Sequence, residues 1–197
     1  MAADALLHQP SLPTLCPITE AVSALSGSGV EERGAIYTRR EVVDFILDLA
    51  GYTSDRPLYK SQLLEPSFGE GDFLLPAIER LLESWKQVGK SGDILSELSN
   101  SVRAVELHKD TFEATSKKVF SLLRKNKLQA VTARKLLDQW LVQGDFLLFD
   151  APHQFDYVVG NPPYVRQERI PDVLVAEYRR RFTTLYDRAD LYIPFIE

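Results

Sequence analysis

Phe155-Asp156-Tyr157-Val158-Val159-Gly160-Asn161-Pro162-Pro163-Tyr164 is the stretch that decides how this chain is read. A short β-branched run closed by Gly-Asn-Pro-Pro reads as a buried strand that stops abruptly. Neither proline donates to a ladder, and Pro162 drives Asn161 out of the helical region. The turn therefore falls at the carboxyl end of a strand, and in an open α/β sheet ligands bind outside that end. A carboxamide, two rigid carbonyls and a phenol ring arrive there together. Asn-Pro is also a common turn opener, and Tyr164 reads equally as a cap on a core, so on these residues alone both interpretations stand.

The segments before this turn repeat one pattern. Gln62-Leu63-Leu64-Glu65 predicts a short strand, followed by the bend Pro66-Ser67-Phe68-Gly69-Glu70-Gly71-Asp72-Phe73 and an apolar helix over 74–85. Strand, glycine-rich bend and helix aim backbone N–H groups and a helix amino end at a ligand. The bend lacks the further glycine of a dinucleotide fingerprint and the Gly-Lys-Ser/Thr of a Walker loop, which disfavours phosphate cradling. Glu65 at the strand end repels phosphate too and suits a ligand with cationic or hydroxyl groups. Residues 87–101 read as a polar loop with a helical turn. Val102-Arg103-Ala104-Val105-Glu106 is the second predicted strand, ending in the acid that doubly wound folds offer to ribose hydroxyls. Helices over 110–123 and 131–140 lead to a third strand, 141–146. There Asp145 is placed to accept from an adenine amino group and Phe146 to cover the ring, the alternatives being a turn acid and a core phenylalanine. An acid at three successive strand ends is the pattern that favours ligand contact.

Residues 1–33 are a leader, flexible or partly helical: Pro10, Pro13 and Pro17 interrupt it, Thr19 is a candidate cap for a short helix through Leu25, and Ser26-Gly27-Ser28-Gly29 reads as a connector. Thr38 is then the predicted N-cap of a helix, with Glu41 as capping-box partner and Val42, Val43, Phe45, Ile46 and Leu49 at helical spacing up to Gly51. With 197 residues, 45% hydrophobic and 26% charged, the chain suits one globular core. A net charge of -5 opposes strong binding to a polyanion by these residues. A single cysteine, Cys16, excludes an internal disulfide. No secretory signal or membrane span is visible, and the cytoplasm is the expected compartment. Three scattered histidines give no metal-ligand spacing, so no metal site is expected.

Taken in order, Gly34-Ala-Ile-Tyr-Thr38, Leu64-Glu-Pro-Ser-Phe-Gly-Glu-Gly-Asp-Phe73, Ala104-Val-Glu106, Gly144-Asp-Phe146, Gly160-Asn-Pro-Pro-Tyr164 and Ala189-Asp-Leu-Tyr192 resemble the motifs of S-adenosylmethionine-dependent DNA adenine-N6 methyltransferases. The order resembles the gamma-type enzymes of restriction-modification systems and covers residues 34–197. Arg39 departs from the pattern, where the family usually has proline. The resemblance implies a Rossmann-like α/β fold with a largely parallel sheet and helices on both faces. It also implies that the sheet is incomplete at the carboxyl end, with no target-recognition domain, because the family continues for further strands.

The same resemblance implies a cofactor set of Tyr37, Thr38, Glu65, Pro66, Ser67, Gly69, Gly71, Glu106, Leu107, Asp145, Phe146, Asn161 and Pro163. Thr38 and the 67–71 backbone would hold the methionine moiety, with Glu65 near its ammonium, Glu106 on the ribose and Asp145 with Phe146 on the adenine. It implies a catalytic set of Asn161, Pro162, Pro163 and Tyr164, with Asn161 and the Pro162 carbonyl accepting from the target amine and Tyr164 stacking on a base flipped out of duplex DNA. RNA adenine, a protein glutamine side chain, or cofactor binding without catalysis are the alternative functions. Arg179, Arg180 and Arg181 read more readily as a solvated helix face than as phosphate contacts. The segment 190–197 reads as the start of an apolar helix. The fourth strand, 157–160, is expected to present an open edge that favours self-association.

Overall fold

The computed structural model describes residues 16–27, 37–89, 93–150, 154–186 and 190–197. Four strands form one all-parallel sheet in the order β3-β2-β1-β4. They are β1 (Leu63–Glu65), β2 (Val102–Glu106), β3 (Leu141–Gln143) and β4 (Tyr157–Val158). The chain builds outward from β1 through β2 to β3 and then returns to the far side of β1 as β4. This return creates a topological switch point between β1 and β4, the crevice where open α/β sheets take ligands.

Helices cover both faces, as parallel pairing requires. They are α1 (Pro17–Ser26), α2 (Arg40–Leu49), α3 (Leu74–Ser84), α4 (Ile94–Leu98), α5 (Lys109–Lys125), α6 (Ala130–Trp140) and α7 (Asp172–Arg181). The main core joins Leu63, Val102 and Ala104 of the sheet to Leu74, Ala77, Ile78, Leu81 and Leu82 of α3 and to Leu136 and Trp140 of α6. The Trp140 indole nitrogen reaches the Leu98 carbonyl at 2.8 Å, which satisfies its one donor inside the core. A second cluster packs Leu147, Ile170, Leu174, Val175 and Tyr178 against Ile18, Ala21, Val22 and Leu25 of α1.

Several expected elements differ in detail. Thr38 does not cap α2: Arg39 holds that position with no side-chain bond, and Glu41 completes no capping box. The Thr38 groups are committed elsewhere, its N–H to Asp72 and its hydroxyl to Asn161. The expected apolar stripe of α2 is split: Val43 is buried and Ile46 packs against the core, whereas Phe45 and Leu49 are 61% and 72% exposed and Leu47 is buried in their place. Arg80 holds α2 in that orientation by clasping Asp48 at 2.6 Å and both the side chain and carbonyl of Asp44 at 3.1 Å. Helix α1 starts at Pro17 with Cys16 before it, so Thr19 lies inside the first turn and caps nothing; proline suits that start because its missing N–H would be unsatisfied anyway. Residues 1–15, Ser28, Gly29, the Gly34-Ala35-Ile36 part of the first motif and Ala189 lie outside the described residues.

The third strand ends at Gln143, and a 3-10 turn over Phe146–Leu148 begins where its continuation was expected. Asp145 ends the strand locally by accepting from the Leu147 N–H at 2.9 Å. The tail forms a 3-10 turn, Ile193–Phe195, in place of a helix start, with Pro194 inside it. Arg180 and Arg181 bond Glu177 across one helical turn, as a solvated face does. Strand β4 pairs with β1 on one side, and among the described residues no strand pairs with its other side, where Val158 is 60% exposed.

Candidate active site

A cavity of about 670 Å³ opens at the carboxyl ends of the strands, a volume ordinary for a small-molecule site. Its wall brings together Tyr37, Thr38, Glu65, Pro66, Ser67, Gly69, Glu106, Leu107, Asp145, Phe146, Asn161 and Pro163, residues drawn from five separate stretches of sequence. Three expected residues stand outside that wall. Gly71 shapes the bend, with φ at 89° and an added Cβ lying only 3.0 Å from Thr115 Cγ2. Pro162 lies between two wall residues. The Tyr164 ring is half exposed and packs on Tyr192 with centroids 5.5 Å apart, beside a bridge from Arg166 to Asp190.

The acids do unequal work. Glu106 accepts from the Gly69 N–H at 2.9 Å and from the His108 N–H at 2.8 Å, fixing the glycine bend against β2. Asp145 takes the Leu147 N–H and the Tyr178 hydroxyl. Burial pushes its carboxyl above the usual carboxylate range, against the lowering pull of Tyr178, Leu147 and Arg181. Tyr178 is itself raised, first by burial and then by the Asp145 charge.

Glu65 differs from both. It is 1% exposed, and its Oε2 has no hydrogen-bond partner. Burial holds its carboxyl well above the ordinary glutamate range, with the Glu106 and Asp72 charges adding to the effect. A buried carboxylate among acids is costly unless a cation or donor meets it, so the cavity is built to favour a cationic ligand at this end.

Sequence reasoning missed Asp72, His108, Tyr178, Leu25 and Phe195, all of which line the cavity. Asp72 had a local signal as the acid closing the Gly-Glu-Gly bend. Tyr178 and Leu25 had none, because they arrive with α7 and α1. Phe146 reaches the wall with its ring tilted on Phe195, centroids 5.2 Å apart, so it is both a core and a cavity residue. Among the described residues no cluster of His, Cys, Asp and Glu is arranged to hold a metal, and no helix is long and apolar enough to cross a membrane.

Residues 53–197 match the family model described as Eco57I restriction-modification methylase. The chain belongs to that family. Among curated relatives, Type II methyltransferase M.PaeR7I of Pseudomonas aeruginosa is 57% identical over 196 residues, which are 99% of this chain and 34% of that protein. M.XhoI of Xanthomonas vasicola is 55% identical, covering 85% of this chain and 31% of its own length. M.BstVI of Geobacillus stearothermophilus is 45% identical, covering 83% and 30%. The chain thus spans about a third of the length of the curated relatives it matches. As a member of the Eco57I family, it carries its cavity where the switch point of the parallel sheet predicts one.

Proposed function

We propose that this site transfers the methyl group of S-adenosylmethionine to the N6 amino group of adenine in DNA, as the modification activity of a restriction-modification or related defence system. One observation carries the reading: Asn161 and Pro163 of the strand-end turn share a cavity with the acids and glycine bend of the first two strands. The cavity suits the cofactor because Glu65 is a buried carboxyl with an unpartnered Oε2 that a cation would draw into its charged form, and because Gly69, at φ 49° with nothing within 4 Å of an added Cβ, leaves open space beside the bend. When bound, S-adenosylmethionine supplies a methyl group made electrophilic by its sulfonium charge. Glu65 would meet a cationic part of that molecule, Ser67 would offer backbone groups, and Gly69 would let the ligand approach the bend closely. Glu106 would accept from hydroxyls, and Phe146 with Asp145 would meet the adenine.

Toward the target, the Asn161 Oδ1 and the Pro162 carbonyl would accept the two hydrogens of the exocyclic amine. That nitrogen is a poor nucleophile because its lone pair is delocalised into the ring. Two fixed acceptors favour its pyramidal form and localise the pair. Tyr164, half exposed beside the cavity, would stack on an adenine extruded from the duplex.

About two thirds of each relative's length lies outside the matched region, and the net charge here is -5, so we assign most phosphate contacts to the remainder of the full-length protein. On this reading these 197 residues alone transfer methyl groups poorly and self-associate along the open side of β4, and the protein works in the cytoplasm. Sedimentation of this chain as a clean monomer would remove the edge proposal. The function is tested in the full-length protein carrying this sequence, by methyl transfer to duplex DNA and mass analysis of the product nucleoside. N6-methyladenine is expected, and Asn161→Ala should lower turnover about 100- to 1000-fold with cofactor affinity kept. Methyl groups found only on cytosine, RNA or protein glutamine would overturn it.

A further inference from the structure

Thr38 and Asn161 are 123 residues apart in sequence and meet at the cavity wall, where the Asn161 Nδ2 donates to the Thr38 Oγ1 at 3.3 Å. The Thr38 backbone N–H donates in turn to Asp72 Oδ2 at 2.7 Å. Asp72 closes the same bend that Glu106 holds through the Gly69 N–H. A line of hydrogen bonds therefore runs from the second strand, through the glycine bend and Thr38, to the asparagine of the strand-end turn.

The consequence lies in the chemistry of a carboxamide. Its oxygen and nitrogen ends have nearly the same shape, so packing alone does not decide which way it faces; its hydrogen-bond partners do. Methyl transfer to an amine needs the oxygen end at the substrate, because a reversed amide would set N–H groups against the N–H groups of the target. We propose that Thr38 is a positioning residue that fixes the facing of the Asn161 amide, and that Asp72 in turn fixes Thr38. The proposal rests on the methyl-transfer reading of the site and goes beyond it. Thr38 holds the nitrogen end, which assigns the oxygen end to acceptor work. The role is distinct from holding the cofactor directly.

A hydroxyl can accept from one end of an amide or donate to the other, so the deciding readout is the side-chain NH2 itself. The sequence has three asparagines, Asn100, Asn126 and Asn161, and the NH2 pair lost in Asn161→Ala identifies the Asn161 signal among the asparagine and glutamine side-chain amides of a nitrogen-15 spectrum. In this chain, hydrogen exchange at the Asn161 NH2 should be slowed in the parent, accelerate in Thr38→Val, which loses the hydroxyl with little change of shape, and slow again in Thr38→Ser. An unchanged exchange rate in Thr38→Val would overturn the proposal. In the full-length protein at saturating S-adenosylmethionine, Thr38→Val should slow single-turnover methyl transfer about tenfold to a hundredfold, the scale of a small misplacement of a reacting group. Because Thr38 also lines the cavity, the rates are compared with cofactor saturated for each variant; KM for DNA should stay at the parental value, and Thr38→Ser should restore the rate. A Thr38→Val that binds cofactor weakly yet reacts at the parental rate when saturated would make Thr38 a cofactor contact and refute the positioning role. If the unsubstituted protein methylates no adenine, the function reading has failed, and the exchange measurement still decides whether Thr38 orients the amide.

Discussion

Replacing Glu65 by glutamine separates what this residue does for the fold from what it does for a ligand. The side chain is 1% exposed, its Oε2 has no partner, and Glu106 and Asp72 surround it with like charge. Leaving a buried acceptor unsatisfied costs about 1–3 kcal/mol, more when it is charged. An amide of the same shape removes the charge and can donate to the neighbouring acids, so the unliganded Glu65→Gln chain should be more stable than the parent. At about 2–4 °C per kcal/mol for a chain of this size, the melting temperature should rise by roughly 2–12 °C at neutral pH. The pH dependence follows from the raised carboxyl. Between the ordinary glutamate value and the raised folded one, the folded state binds a proton that the unfolded state lacks. Parental stability therefore rises as pH falls through that window, with a slope near 1.4 kcal/mol per pH unit for one fully displaced titration, and Glu65→Gln should lack that component. Binding should move the other way. Losing a charge-assisted hydrogen bond of about 1.5–3 kcal/mol weakens affinity for S-adenosylmethionine about 10- to 150-fold. Thermal unfolding across the neutral pH range and calorimetric titration read both effects. A variant that melts below the parent at every pH, or that binds the cofactor as tightly, would refute the reasoning.

Glu106→Ala should do the opposite for the fold: it removes the acceptor of the part-buried Gly69 and His108 N–H groups, costing up to about 1–3 kcal/mol for each, so calorimetry should show cofactor binding lost together with a lower melting temperature. Gly71→Ala should destabilise by at least about 1–3 kcal/mol in urea unfolding, because φ is 89° and the new Cβ meets Thr115 at 3.0 Å; a neutral result would mean the bend relaxes freely. Tyr178→Phe removes the hydroxyl that donates to buried Asp145 and should cost about 1–3 kcal/mol. With the Asp145 carboxyl pushed further up, that loss should be larger at mildly alkaline than at mildly acidic pH, where the acid takes up its proton; a pH-independent loss would show that the charge is not its source.

The parts of this fold that could be read in advance were those with a local signature. The second strand was expected at Val102–Glu106 and lies there, because a β-branched run ending in an acid is self-contained. Glu65, Glu106 and Asp145 were expected near strand ends for the same reason, and all three line the cavity. What could not be read depended on partners far away in sequence. Thr38 looks like a cap because threonine three residues before glutamate has that chemistry locally, yet its groups are drawn to Asp72 and Asn161. The stripe on α2 misleads in part: Val43 and Ile46 face the core, but Phe45 and Leu49 stay exposed while Arg80, a residue on another helix, clasps Asp44 and Asp48.

The three acids also show why a repeated motif does not imply a repeated role. Each sits at or just past a strand end, so periodicity treats them alike. Glu106 and Asp145 both accept hydrogen bonds that hold loops: the glycine bend and the His108 turn in one case, the Leu147 turn and α7 in the other. Their replacement must therefore disturb the architecture of the cavity before it disturbs any ligand. Glu65 lies on β1, beside the switch point, where the strands on both sides and the turn at Gly160 shut out water while leaving its Oε2 unpartnered. The sheet order places Glu65 on the strand beside the switch point, Glu106 on the next strand and Asp145 past the end of the strand beyond that. Keeping a carboxyl at the Glu65 position costs the empty protein free energy, whether as a buried charge or as the uptake of a proton, and a cation that meets the carboxylate recovers part of that cost as affinity. The position of an acid within the sheet, more than its residue type, decides whether it supports the fold or the ligand.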